Sequence, residues 1–191
     1  MTIWTFLPAE GAVPITVMFV AFGLAAWANG CFFIGYGAEP AEGGAHPLKT
    51  VGVISFFAGL MGLITALFLA LVVGGVGIAV GALAIAYAMF FTILGIVAWN
   101  GFDLKPVANI CIPIAIWSIP FIGFAGFDKD LWMQLVMIVW TIAFVGIWAV
   151  VYGKWGIKAS WLGWWLLFTA VFTFFLPALR IATGSTWLIL S

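Results

Sequence analysis

Catalysis and metal binding need reactive side chains in company, and this chain supplies few. His46 is its one histidine, and Cys31 and Cys111 are its two cysteines. A single histidine cannot serve as base to a serine or cysteine nucleophile unless a third group orients it, and no such set can be assembled. The same scarcity leaves too few ligands for zinc, a haem pair or an iron–sulfur cluster. No metal, cofactor or catalytic residue is therefore expected, and the enzyme reading is set aside. His46 stands beside Gly43, Gly44 and Pro47 and reads as a solvated loop residue rather than a pH sensor. Cys31 and Cys111 fall near helix ends on the side read as cytoplasmic, so they are expected to be packing residues rather than a disulfide.

The elements that must position any site follow from what surrounds these residues. Hydrophobic side chains make up 66% of the 191 residues and charged ones 6%, against about a quarter charged in a soluble domain. Mean hydropathy is +1.31. Such a chain cannot cover a water-facing surface, so its solvent is lipid. Six basic side chains against six acidic ones, with no cationic stripe, also disfavour nucleic acid as a partner.

A membrane-spanning helix takes about 20 apolar residues, and the titratable residues mark where each ends. The charge-free intervals are 11–38, 50–102, 107–127, 131–153 and 159–179. The second is long enough for two helices, with its break expected at Gly74, Gly75 and Gly77, because glycine permits a tight turn. This predicts an all-α membrane protein, a single six-helix domain over 1–191 with spans near 14–36, 50–73, 77–100, 107–127, 131–153 and 160–182. Lys49, Lys105, Lys154 and Lys158 lie in the loops after spans one, three and five, whereas Lys129 and Arg180 lie opposite. By the positive-inside bias the first group is cytoplasmic and both termini face out. The segment 1–12 has no basic region ahead of an apolar core and is not read as a signal peptide.

Lys49, Lys105 and Lys158 also recur at similar intervals, and Trp27-Ala28-Asn29-Gly30 is echoed by Trp99-Asn100-Gly101. This suggests three repeated helical hairpins. Gly77, Gly81, Ala84 and Ala88 form a small-residue ridge suited to close helix packing, within the chain or between copies.

Glu10, Glu39, Glu42, Asp103, Asp128 and Asp130 all sit outside the apolar stretches. Intramembrane ionisable groups mark proton and ion paths, so their absence leaves nothing to carry a coupled proton. The interior instead offers neutral groups: Asn29, Ser55, Thr65, Tyr87, Thr92, Asn109, Ser118, Gln134, Thr141, Thr169 and Thr173, with many tryptophans. A passage lined by aromatic faces and a few amides and hydroxyls repels hydrated ions and admits a small neutral molecule. An indole N–H is a donor only, so carbonyl-bearing solutes suit it.

Trp4, Trp99, Trp155, Trp161, Trp164 and Trp187 fall near span ends and read as interfacial belts. Trp140 lies too far inside the fifth span for a belt. Met133, Met137, Trp140 and Phe144 share one face of that helix, either as a buried helix interface or as a pore wall.

These residues resemble the urea and short-chain amide channel family, AmiS/UreI, over nearly the whole chain. The resemblance rests on Asn29-Gly30 closing the first helix, and on Lys49-Thr50 with Phe56-Phe57-Ala58-Gly59 in the second. It rests also on the turn Asp103-Leu104-Lys105-Pro106, a proline midway along the fourth helix matched to Pro120, and Trp164, Thr173 and Pro177 in the sixth. It implies a passive pore through each protomer, three hairpins around that pore and a hexameric ring in a bacterial inner membrane. The pore face it implies comprises Phe22, Ala26 and Asn29 on the first helix, Tyr87 and Phe91 on the third, and Met133, Met137, Trp140 and Phe144 on the fifth. Where the family has a second fifth-helix tryptophan this chain has Phe144, and Phe91 replaces a tyrosine. Thr169 stands at the place of a glutamate and is expected to set selectivity. Each change removes polarity, which points to an amide larger or more apolar than urea.

Acid-gated relatives carry titratable groups in a long loop after the second helix, where this chain has only its glycine turn, so little pH gating is expected. The leading expectation is a passive channel for urea or short-chain aliphatic amides, surrounded by lipid and assembled as a homo-oligomer. A non-transporting membrane scaffold and a secondary transporter of a small neutral solute are the alternatives. The missing intramembrane charge weighs against the transporter, and nothing in the sequence separates the channel from the scaffold.

Overall fold

A computed structural model describes residues 9–123 and 131–183. Trp4, Phe6, Asp128, Lys129, Asp130 and Trp187 lie outside the described residues.

Six helices among the described residues are long and apolar enough to cross a membrane. They are α1 (Ala9–Phe33), α2 (Leu48–Phe68), α3 (Val76–Asn100), α4 (Lys105–Ile122), α5 (Leu131–Val151) and a sixth made of α6 (Ala159–Thr169) and α7 (Leu176–Thr183). Each packs on its neighbours in sequence, and the sixth closes on α1, so the helices form a ring. Along its walls run the buried residues of α1, α3, α5 and the sixth helix.

Two helices depart from α geometry. The end of α2 widens to a π turn at Leu69–Val73, and Ala170–Phe175 is a π segment joining α6 to α7. π turns shift the register of everything beyond them. The reversal after α2 is made by Gly74 and Gly75, with φ of 62° and 50°. Gly77, expected in that turn, is instead inside α3. A Cβ there would come within 2.5 Å of the Leu69 carbonyl oxygen, so its role is packing.

Close approach explains why α2 and α3 lie so tightly together. A Cβ on Gly95 would meet the Phe56 backbone nitrogen at 2.5 Å, and one on Gly59 would collide with Thr92. The ridge continues this contact, with Gly81 against the Ala66 carbonyl oxygen. It is a contact within the chain, between α2 and α3.

The turn into α4 follows from its sequence. Asp103 Oδ1 accepts the Lys105 N–H at 2.9 Å, and Pro106 occupies the first turn, where no N–H is needed. The proline midway along α4 is Pro113, whereas Pro120 lies in its last turn. The match of Pro120 to a mid-helix proline is therefore one helical segment too late, because α4 stops at Ile122.

Trp99, Trp155, Trp161 and Trp164 are exposed on the outside of the ring, while Trp140 is buried. An outward tryptophan near a helix end suits the interface between headgroups and acyl chains.

Candidate solute pathway

Inside the ring lies a cavity of about 70 Å³, several times the ~10–15 Å³ that one water needs. Phe33, Leu104 and Val151 line one end of it, and Trp140, Tyr87 and Phe174 line its depth. It thus runs inward from the end of the bundle where α1, α3 and α5 finish. No ionisable carboxylate or amine is among its lining residues.

All ten residues expected on the pathway are buried. The cavity wall contains seven of them, Ala26, Asn29, Tyr87, Phe91, Trp140, Phe144 and Thr169. Phe22, Met133 and Met137 are in the same core but off that wall. Phe22 backs the wall by stacking on Phe91 at 4.9 Å. Met133 and Met137 precede Trp140 on α5 and continue the core beyond the cavity.

An aromatic cluster closes the deep end. Trp140 stacks on Phe174 at 4.9 Å and meets Tyr87 edge-on at 5.0 Å and Phe19 edge-on at 5.7 Å. Tyr87 in turn stacks on Phe144 at 5.2 Å with an interplanar angle of 5°, and Phe90 abuts Phe144 edge-on at 5.1 Å. Offset and edge-to-face pairs of this kind add attraction beyond their buried area. They hold the rings as one block contributed by α1, α3, α5 and the π segment.

Hydrogen bonds fix the polar members. The Trp140 indole N–H donates to Thr173 Oγ1 at 2.7 Å, and Thr173 donates to the Thr169 carbonyl oxygen at 2.7 Å. Thr169 Oγ1 donates to the Trp165 carbonyl oxygen at 2.8 Å. Asn29 Nδ2 donates to the Ala25 carbonyl oxygen at 2.8 Å and to Ser55 Oγ at 2.9 Å. The Tyr87 hydroxyl meets Ser118 Oγ at 2.6 Å.

Thr173 thus takes the Trp140 N–H, which is not a free donor to the cavity. Thr173 and Ser118 read from the sequence as neutral interior groups without a place in the expected pathway, and Phe174 has no such reading. Thr173 follows Thr169 by one helical turn, which was the available signal.

A ring of apolar helices around an uncharged, aromatic-walled cavity fits a multi-pass membrane protein. The sequence matches the AmiS/UreI family transporter model over residues 15–185, and the chain belongs to that family. Its fold is similar to the crystal structure of the urea channel from the human gastric pathogen Helicobacter pylori, with a TM-score of 0.73 at 13% identity over 89% of this chain and 98% of that one. The cryo-electron microscopy structure of the Helicobacter pylori urea channel in its closed state gives 0.72 at 14% identity, over 88% and 97%. No curated protein matches the chain by sequence.

Proposed function

We propose that this protein is a passive channel for urea or short-chain aliphatic amides in a bacterial inner membrane. The observation that carries the reading is the cavity, whose wall combines Asn29, Tyr87, Trp140 and Thr169 with aromatic rings and has no charge. An ion entering it would lose its hydration without a counter-charge, whereas a small neutral amide exchanges water for amide, hydroxyl and ring contacts. The family and the two urea channels of similar fold support the same class of solute.

In this reading Trp140 and Phe144 form the constriction with Tyr87 and Phe91, backed by Phe22. Ala26 leaves room opposite, Asn29 offers hydrogen bonds, and Thr169 sets selectivity. Met133 and Met137 line the continuation toward the outer face. The six helices act as three hairpins with both termini outside, and copies assemble as a hexameric ring. Flow follows the gradient and depends little on pH.

Uptake of labelled acetamide into proteoliposomes tests the passive reading. Ionophores that collapse the membrane potential and the pH gradient should leave the rate unchanged, and a rate that follows either gradient contradicts it.

A further inference from the structure

Room and partners together decide whether a cavity holds water. This one has the room, at about 70 Å³, but a buried water also needs about three polar partners. The wall supplies few. Four of its residues carry polar side-chain atoms, Asn29, Tyr87, Trp140 and Thr169, and each is bonded within the protein. Asn29 Nδ2 donates to the Ala25 carbonyl oxygen and to Ser55 Oγ, and the Tyr87 hydroxyl pairs with Ser118 Oγ. The Trp140 N–H and the Thr169 hydroxyl donate to Thr173 Oγ1 and to the Trp165 carbonyl oxygen. The surface left facing the cavity is nearly all carbon.

The deep end is no more hospitable. Trp140, stacked on Phe174 and met edge-on by Tyr87 and Phe19, rims it with ring carbon. Narrow apolar constrictions shed water, because a molecule entering one gives up its hydrogen bonds and finds no replacements. A small amide differs in having a flat body that packs against ring faces and edges. A water molecule has no such body to offer.

We propose that the protein passes its solute without a continuous file of water, so that it conducts small amides and leaves the water permeability of the membrane unchanged. This rests on the channel reading above and adds to it a rule against water, set by the carbon surface of the wall.

Water decides the matter because it is smaller than any amide, so a water-filled passage wide enough for acetamide would carry water too. The protein is reconstituted in liposomes of phosphatidylcholine and cholesterol. A sudden gradient of sucrose, which does not enter, gives the rate of water exit by light scattering. A sudden gradient of acetamide on the same vesicles gives solute entry from the reswelling phase. Water exit should match that of empty liposomes, while reswelling in acetamide is faster. Leu94→Asn exchanges a wall residue for an amide of similar shape, and Ala143→Ser adds a hydroxyl to the same wall. Each gives water a partner there and should bring a protein-dependent water rate where the parent has none.

Water exit faster than in empty liposomes, with acetamide entry intact, overturns the water-free passage and leaves the channel reading standing. No protein-dependent entry of acetamide, urea or propionamide overturns both. Variants that still pass acetamide but gain no water rate overturn the assignment to the carbon wall. The unaltered protein decides the main claim even if a variant fails to fold.

Discussion

The indole N–H of Trp140 on α5 donates to Thr173 Oγ1 in the π segment of the sixth helix, at 2.7 Å. A bond between two helices thus fixes the ring that closes the deep end of the cavity. Stacking on Phe174, the next residue in the same π segment, holds the ring's face. The π segment presents Thr173 to the edge of the indole and Phe174 to its plane.

Thr173→Val should leave a buried indole N–H without its acceptor, at a cost of about 1–3 kcal/mol. We expect a lower unfolding temperature in detergent together with altered selectivity between acetamide and propionamide. Thr173→Ser keeps the acceptor and should stay near the parent in both. Equal behaviour of the two variants would show that the bond does not position the ring.

Trp140→Ala should widen the constriction. A close-fitting wall discriminates one methylene by about 1–3 kcal/mol, so the parent should separate acetamide, propionamide and butyramide. The variant should pass all three at similar, higher rates, measured in the same vesicles.

Gly95→Leu places a side chain where even a Cβ meets Phe56 backbone at 2.5 Å. Forcing α2 from α3 should cost about 1–3 kcal/mol, as overpacking does. Thermal unfolding measures this. Gly123→Ala, at a site with nothing near its Cβ position, serves as the control.

Flux should stay flat between about pH 5 and 8, because no carboxylate, amine or imidazole lines the cavity. His46 is exposed, and its Nδ1 accepts the Leu48 N–H at 3.2 Å. His46→Ala should not change the profile in proteoliposomes. Steep activation at acid pH would contradict this.

The all-helical, six-span character was legible because charge is confined to segment ends, and lipid tolerates nothing else. The site was legible in its types. Asn29, Tyr87, Trp140 and Thr169 stand out as polar groups in apolar helices, and all four share the cavity wall. Their partners were not legible. That Trp140 donates to Thr173 depends on a π segment, and no propensity marks where a helix widens by one residue. Ser118 was visible as a neutral interior group, but its place against Tyr87 depends on how α3 meets α4. Pro113 and Pro120 show the same limit: either could be mid-helix until the end of α4 is fixed at Ile122.

The central claim is that a cavity lined without charge conducts small neutral amides. Purified protein in liposomes, exposed to sudden gradients of urea, acetamide and propionamide, tests it by the rate of shrinking and reswelling. The account predicts faster reswelling than in empty liposomes for at least one of the three, with no rise in sodium or proton conductance. Rates equal to those of empty liposomes for all three would contradict it.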